Sequence, residues 1–120
     1  MKTAIIILSD PKNESEESLG RVFNGLAAAY DFQSAGEEVS ILFQGAGTRW
    51  PAVLQKEDHP VHELFKAVRD KIQCVSCACA DVFGADTSGF DLIKDNKVPK
   101  TTGLPSLSKL QGQGYNVLTF

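Results

Sequence analysis

Thr3-Ala4-Ile5-Ile6-Ile7-Leu8, closed by Ser9-Asp10-Pro11, is the stretch on which the fold turns. Its apolar residues run together, without the alternation that a strand with one wet face shows. A short, continuous, β-branched run of this kind reads as a strand covered on both faces, as inside a parallel sheet. Parallel strands need crossover connections, so helices are expected between this strand and its neighbours. The apolar run, residues 4–8, also falls short of the roughly 7–15 residues of a secretory signal and the roughly 20 of a membrane span. No other stretch comes closer, and a cytoplasmic protein without membrane contact is expected.

Working outward, the polar loop Pro11-Lys12-Asn13-Glu14-Ser15 leads into a long amphipathic segment. Leu19, Val22, Phe23, Leu26, Ala27 and Tyr30 recur at helical spacing. Glu14, Glu16 and Glu17 stand where the helix dipole favours acid, Asn13 or Ser15 is placed to cap, and Gly36 closes the segment. Residues 39–44 read as a second strand ending in Gly45-Ala46-Gly47. Trp50-Pro51 opens a helical region that His59-Pro60 interrupts, and Val61, Leu64, Phe65, Val68 and Ile72 continue it as a stripe to near Lys71. A third strand is expected at about residues 73–76, then a helix over 78–83 ended by Gly84. Residues 86–103 are turn-rich, with one short apolar stretch, Phe90-Asp91-Leu92-Ile93. A last helix over 104–111, with Pro105 in its first turn, precedes a strand over 115–120.

This rhythm implies an α/β fold: one domain over residues 1–120, a mostly parallel sheet of about five strands, and helices on both faces. Ligands in such sheets collect beyond the carboxyl ends of the strands. Those ends carry Ser9 and Asp10, then Gln44, Gly45 and Gly47, then Ser76 ahead of the cysteines. These six are the expected pocket-lining residues.

The three cysteines all fall within residues 74–79, too close together for a fold-wide disulfide framework. Cys74 lies within the third strand and reads as a small buried residue. Cys77 and Cys79 fall at the strand-to-helix turn, where backbone N–H groups and the positive end of a helix lower a thiol's pKa. They are the candidate catalytic thiols. A zinc site would need a fourth ligand, and the two histidines, His59 and His62, stand apart with no second cysteine pair; no metal is expected.

Cys-Val-Ser-Cys-Ala-Cys-Ala-Asp-Val-Phe-Gly-Ala, residues 74–85, resembles the cysteine segment of the DsrE/DsrF-like family, often a Cys-x-x-Cys-Ala ahead of Phe-Gly. The tail Gly103-Leu104-Pro105-Ser106-Leu107-Ser108-Lys109-Leu110, running on to Tyr115-Asn116-Val117-Leu118-Thr119-Phe120, is similar to that family's common ending. The opening strand and long first helix fit as well. The resemblance implies a three-layer α/β/α sandwich, homo-oligomers such as trimers or hexamers, and cysteine persulfide relay with a sulfur donor or acceptor protein. It points to Cys77 first and Cys79 second as the active thiol. The clustered thiols differ from the single-cysteine relay members, whose segment tends to run into basic residues rather than Ala-Asp-Val-Phe.

The remaining features are quieter. Twelve basic against fifteen acidic side chains, a net charge of −3, provide no basic field for nucleic acid. Gly45-Ala46-Gly47 has no third glycine and no Lys-Ser/Thr after it, and the loop at 11–15 carries acid where a phosphate would sit, so no nucleotide or flavin cofactor is expected. His59-Pro60-Val61-His62 reads as loop or surface histidines, with thiol activation the sharper alternative. Trp50 fits either a subunit interface or a place over the sheet edge. Two functional readings stand: a sulfane-sulfur carrier or sulfurtransferase-type protein, and a non-catalytic oligomeric module that binds a small ligand.

Overall fold

The apolar run folds into β1 (Lys2–Ile7), with Ala4, Ile5, Ile6 and Ile7 sealed from solvent. This is a computed structural model that describes residues 1–87 and 89–120, and of Cys74, Cys77 and Ala78 the backbone alone. Beyond β1 the chain forms α1 (Glu16–Ser34), β2 (Glu38–Phe43), α2 (Trp50–Leu54), α3 (His62–Ala67), β3 (Ile72–Ser76) and α4 (Cys77–Phe83). β4 (Leu92–Ile93), α5 (Leu107–Gly112) and β5 (Tyr115–Thr119) complete it. The five strands lie in the order β4-β3-β2-β1-β5, and every pairing is parallel.

The burial of β1 follows from this order. Lys2 pairs with Glu38 on one side and with Tyr115 on the other, so both backbone edges of β1 are satisfied by strands. Its faces are covered too. Ile5 and Ile7, with Val39, Ile41 and Phe43, meet Val22, Leu26 and Ala29 of α1 and Leu54 and Phe65 beyond them. Ala4, Ile6 and Leu42 meet Leu110 of α5 on the opposite face. The result is the expected three-layer α/β sandwich, with the larger core on the α1 face.

Local signals set most boundaries. Ser15, not Asn13, caps α1, its hydroxyl accepting the Ser18 N–H at 3.0 Å. Gly84, at φ 61°, ends α4 in the left-handed conformation that lets its N–H reach the Ala80 carbonyl. Two expectations change. Pro105 does not enter the last helix: Ser106 caps α5, its Oγ accepting the Lys109 N–H, so the helix begins at Leu107. The apolar stretch at residues 90–93 supplies the fourth strand, β4, pairing Val75 with Leu92 and Ser76 with Ile93.

The turn after β2, a 3-10 segment at Gly45–Arg49, crosses the end of β1 at close range. A Cβ on Gly47 would stand 2.2 Å from the Ile7 carbonyl oxygen, a backbone atom that cannot rotate away. Gly47→Ala is therefore expected to destabilise the protein by about 2–3 kcal/mol in urea titration, as an overpacked core position does. Gly20→Ala is the contrasting case. It sits in α1 with nothing within 4 Å of its missing Cβ, and alanine there is expected to add about 0.5–1 kcal/mol. A Gly47→Ala protein as stable as the parent would refute the close approach.

Candidate functional site

The carboxyl ends of β1, β2 and β3 deliver three segments to one rim: Ser9-Asp10, the turn at Gly45–Arg49, and α4. Arg49 ties them together. Its Nη1 lies 3.1 Å from Asp10 Oδ1, its Nε donates to the Phe83 carbonyl at 3.0 Å, and the guanidinium stands 5.4 Å from the Phe83 ring centre. Trp50 makes a second tie. It is 3% exposed, and its indole N–H donates to the Ser9 carbonyl at 2.8 Å. Of the two places open to this tryptophan, it takes the one against the sheet. The Ser9 hydroxyl reaches the Ser18 carbonyl at 3.3 Å.

The six residues expected to line a pocket lie at one end of the sheet, and none of them is among the residues that line the cavity beside it. Ser9 and Asp10 hold Trp50 and Arg49. Gln44 is buried and its N–H donates to the Ile7 carbonyl at 3.0 Å, while Gly45 and Gly47 shape the turn. Ser76 is fully buried and caps α4, its Oγ accepting the Cys79 N–H at 3.4 Å. Cys77 is the first residue of α4 and Cys79 the third. Cys79 is a free, half-buried thiol; the side chains of Cys74 and Cys77 lie outside the described residues. Across α4, Asp81 accepts the Thr102 hydroxyl at 2.8 Å, pinning the turn-rich segment onto the cysteine helix. Among the described residues no group of three His, Cys, Asp or Glu side chains is placed to hold a metal.

Beside this rim opens a cavity of about 550 Å³. One wall is the loop Pro11, Lys12 and Glu14 with Ser15, Glu16 and Leu19 of α1; the other is Arg49, Trp50, Val53, Lys56 and His59. Glu14 stands at φ 53°, a left-handed conformation that strains a residue with a Cβ by about 1–2 kcal/mol. The loop thus carries a glutamate where glycine or asparagine would sit more easily.

The histidines divide. His62 is buried, not on the surface, and its Nδ1 lies 2.7 Å from the Leu54 carbonyl; since a carbonyl only accepts, that nitrogen carries the proton. His59 is in the loop, as Pro60 implies, with its ring edge-on to Trp50 at 6.2 Å between centres. Its Nδ1 accepts the Val61 N–H at 3.1 Å, leaving Nε2 as the donor of the neutral ring. Burial lowers the His59 pKa from the usual 6.5; His62 and Lys56 add to the lowering and Asp58 opposes it. Arg49, Trp50 and His59 give the rim and cavity much of their form. An arginine and a tryptophan directly after a glycine-rich strand end are the signal that marks the first two.

A family model described as DsrE/DsrF-like matches residues 1–120. The chain belongs to the DsrE/DsrF-like family. An uncharacterized protein of Methanocaldococcus jannaschii is 28% identical over 120 residues, covering 98% of this chain and 94% of its own length. No solved structure matches the chain significantly. Among the described residues no helix is long and apolar enough to cross a membrane.

Two outcomes are expected. Arg49→Met should lose about 1–2 kcal/mol, and Arg49→Lys should not restore it, because one ammonium cannot replace a planar group serving two directions. The second concerns pH. The folded state holds His59 below 6.5, so the unfolded chain binds the proton more readily. The contribution of His59 to stability is then full above pH 6.5 and is lost as pH drops from there through the folded pKa. Urea midpoints between pH 7.5 and 5 should show a shallower fall in His59→Gln than in the parent; parallel curves would exclude the effect.

Proposed function

We propose that the protein carries sulfane sulfur as a persulfide on Cys77 or Cys79, in the role of a carrier or sulfurtransferase. The observation that supports it most is the cysteine pair at the carboxyl end of β3, opening α4, in a chain of the DsrE/DsrF-like family. The chemistry needs a thiolate that a donor can reach, and Cys79 is half-buried with a free thiol. The thiolate attacks the outer sulfur of a donor persulfide; the new S–S bond forms as the donor's S–S bond breaks, and the donor departs as a thiolate that takes up a proton. An acceptor thiolate then attacks the same outer sulfur and returns the cysteine to its starting state. No net oxidant is consumed. Cys77 is the first choice for the carrier and Cys79 the second, with Cys74 a packing residue.

This reading includes a homo-oligomer, trimeric or hexameric, and a donor or acceptor protein in a reducing cytoplasm. Val82 on α4, 77% exposed, and Leu92 on the edge strand β4 are apolar surface suited to cover by another copy. The alternative, a ligand-binding module with inert thiols, draws on the cavity beside the rim.

Low-excess iodoacetamide at neutral pH should label Cys77 or Cys79 before Cys74. After exposure to a sulfane-sulfur donor, intact mass should rise by one sulfur that peptide mapping places on one of these two. Cys77→Ala or Cys79→Ala should abolish the gain. Three thiols that react only after unfolding would sink the proposal.

A further inference from the structure

The cavity between the β1–α1 loop and α2 is lined by both apolar and charged residues. Leu19 and Val53 are half-buried there over the buried Trp50. Its volume of about 550 Å³ falls in the range of small-molecule sites, roughly 300–1,000 Å³. The lining also includes two lysines, Lys12 and Lys56, and two glutamates, Glu14 and Glu16, all four exposed to solvent. None of these four is in an ion pair with another described side chain. Arg49, the remaining charge on the wall, is already engaged by Asp10 and the Phe83 carbonyl.

The strain at Glu14 adds weight. Its backbone is left-handed at φ 53°, and its side chain makes no hydrogen bond or ion pair with another described residue. The left-handed residue closes the 3-10 turn at Pro11–Asn13, its N–H donating to the Pro11 carbonyl at 3.2 Å, and strain of this kind raises the question of what the side chain does.

A ligand with a single charge answers only half of these four groups. A carboxylic acid would be drawn to Lys12 and Lys56 but repelled by Glu14 and Glu16, and an amine would meet the reverse. An uncharged apolar molecule would leave all four charges unanswered. We propose that the cavity binds a free α-amino acid with a large apolar side chain. Its carboxylate lies towards Lys12 and Lys56, its ammonium towards Glu14 and Glu16, and its side chain on Leu19 and Val53. The site is separate from the cysteines, and the inference stands whether or not the thiols carry sulfur.

Calorimetric titration and equilibrium dialysis of the full chain with three probes test it: L-phenylalanine, its methyl ester and 3-phenylpropanoic acid. The ester lacks the carboxylate charge and the acid lacks the ammonium. Phenylalanine is expected to bind saturably, and each analogue to bind at least about tenfold more weakly, as the loss of one charged contact implies. Val53→Trp should remove binding by filling the cavity. Glu14→Asn, a residue at ease in the left-handed region, should melt no lower than the parent yet bind phenylalanine about tenfold more weakly. Cys77→Ala and Cys79→Ala should leave binding unchanged, which separates failure here from failure of the persulfide reading. An analogue that binds as tightly as phenylalanine overturns the proposal. So does undiminished binding in Val53→Trp or Glu14→Asn, or no saturation up to about 10 mM.

Discussion

The guanidinium of Arg49 joins segments that the sequence keeps far apart. It reaches back to Asp10 at the end of the first strand and forward to the Phe83 carbonyl at the end of the cysteine helix. Gly47 lets the segment bearing Arg49 lie close enough for both contacts, because its missing side chain leaves room for the Ile7 carbonyl. With this turn held down, the ends of β1, β2 and β3 form one rim instead of three loose loops. Trp50 completes the arrangement from the other side by donating to Ser9. Backbone approach, ion pair and indole hydrogen bond all fall within residues 47–50, so a short piece of chain organises the carboxyl end of the sheet.

That end holds two chemically unlike places. On one side α4 opens with the thiols, its first turn held by the buried Ser76. On the other side is the cavity of about 550 Å³, lined by both apolar and charged residues. Arg49 belongs to both, lining the cavity while binding the carbonyl at the far end of α4. A shift of its side chain would be felt by each.

Much of this was legible in the residues themselves. The unbroken run at residues 3–8 announced a strand covered on both faces, and β1 lies inside the sheet with β2 on one edge and β5 on the other. Helical spacing from Leu19 to Tyr30 described α1, and the glycines after the second strand announced the tight turn. The places where reading fell short have local causes. β4 pairs through only Leu92 and Ile93, too few residues for period-two alternation to stand out from a turn-rich loop. Pro105 suits a first helical turn by propensity, but the Ser106 hydroxyl one residue later takes the capping role. His62 was burial hidden in a polar residue type: its partner is a backbone carbonyl, which no side-chain motif advertises. The cavity was the least visible feature. Its walls come from the β1–α1 loop and from α2, and only packing, not spacing, brings Leu19 beside Val53.

The order β4-β3-β2-β1-β5 also has a kinetic side. β1, first in sequence, pairs with β5, last in sequence, so Lys2 faces Tyr115 and the Leu8 N–H meets the Phe120 carbonyl at 2.7 Å. During synthesis β1 can join β2 early, but its other edge stays open until β5 has left the ribosome. Closing so long a loop is slow, because chain entropy is surrendered before the contacts that reward it can form. Until β5 is made, the nascent chain therefore leaves one edge of β1 unpaired. An unpaired apolar edge of this kind is a template for pairing with another chain, so the β1–β5 contact also closes off a route to aggregation.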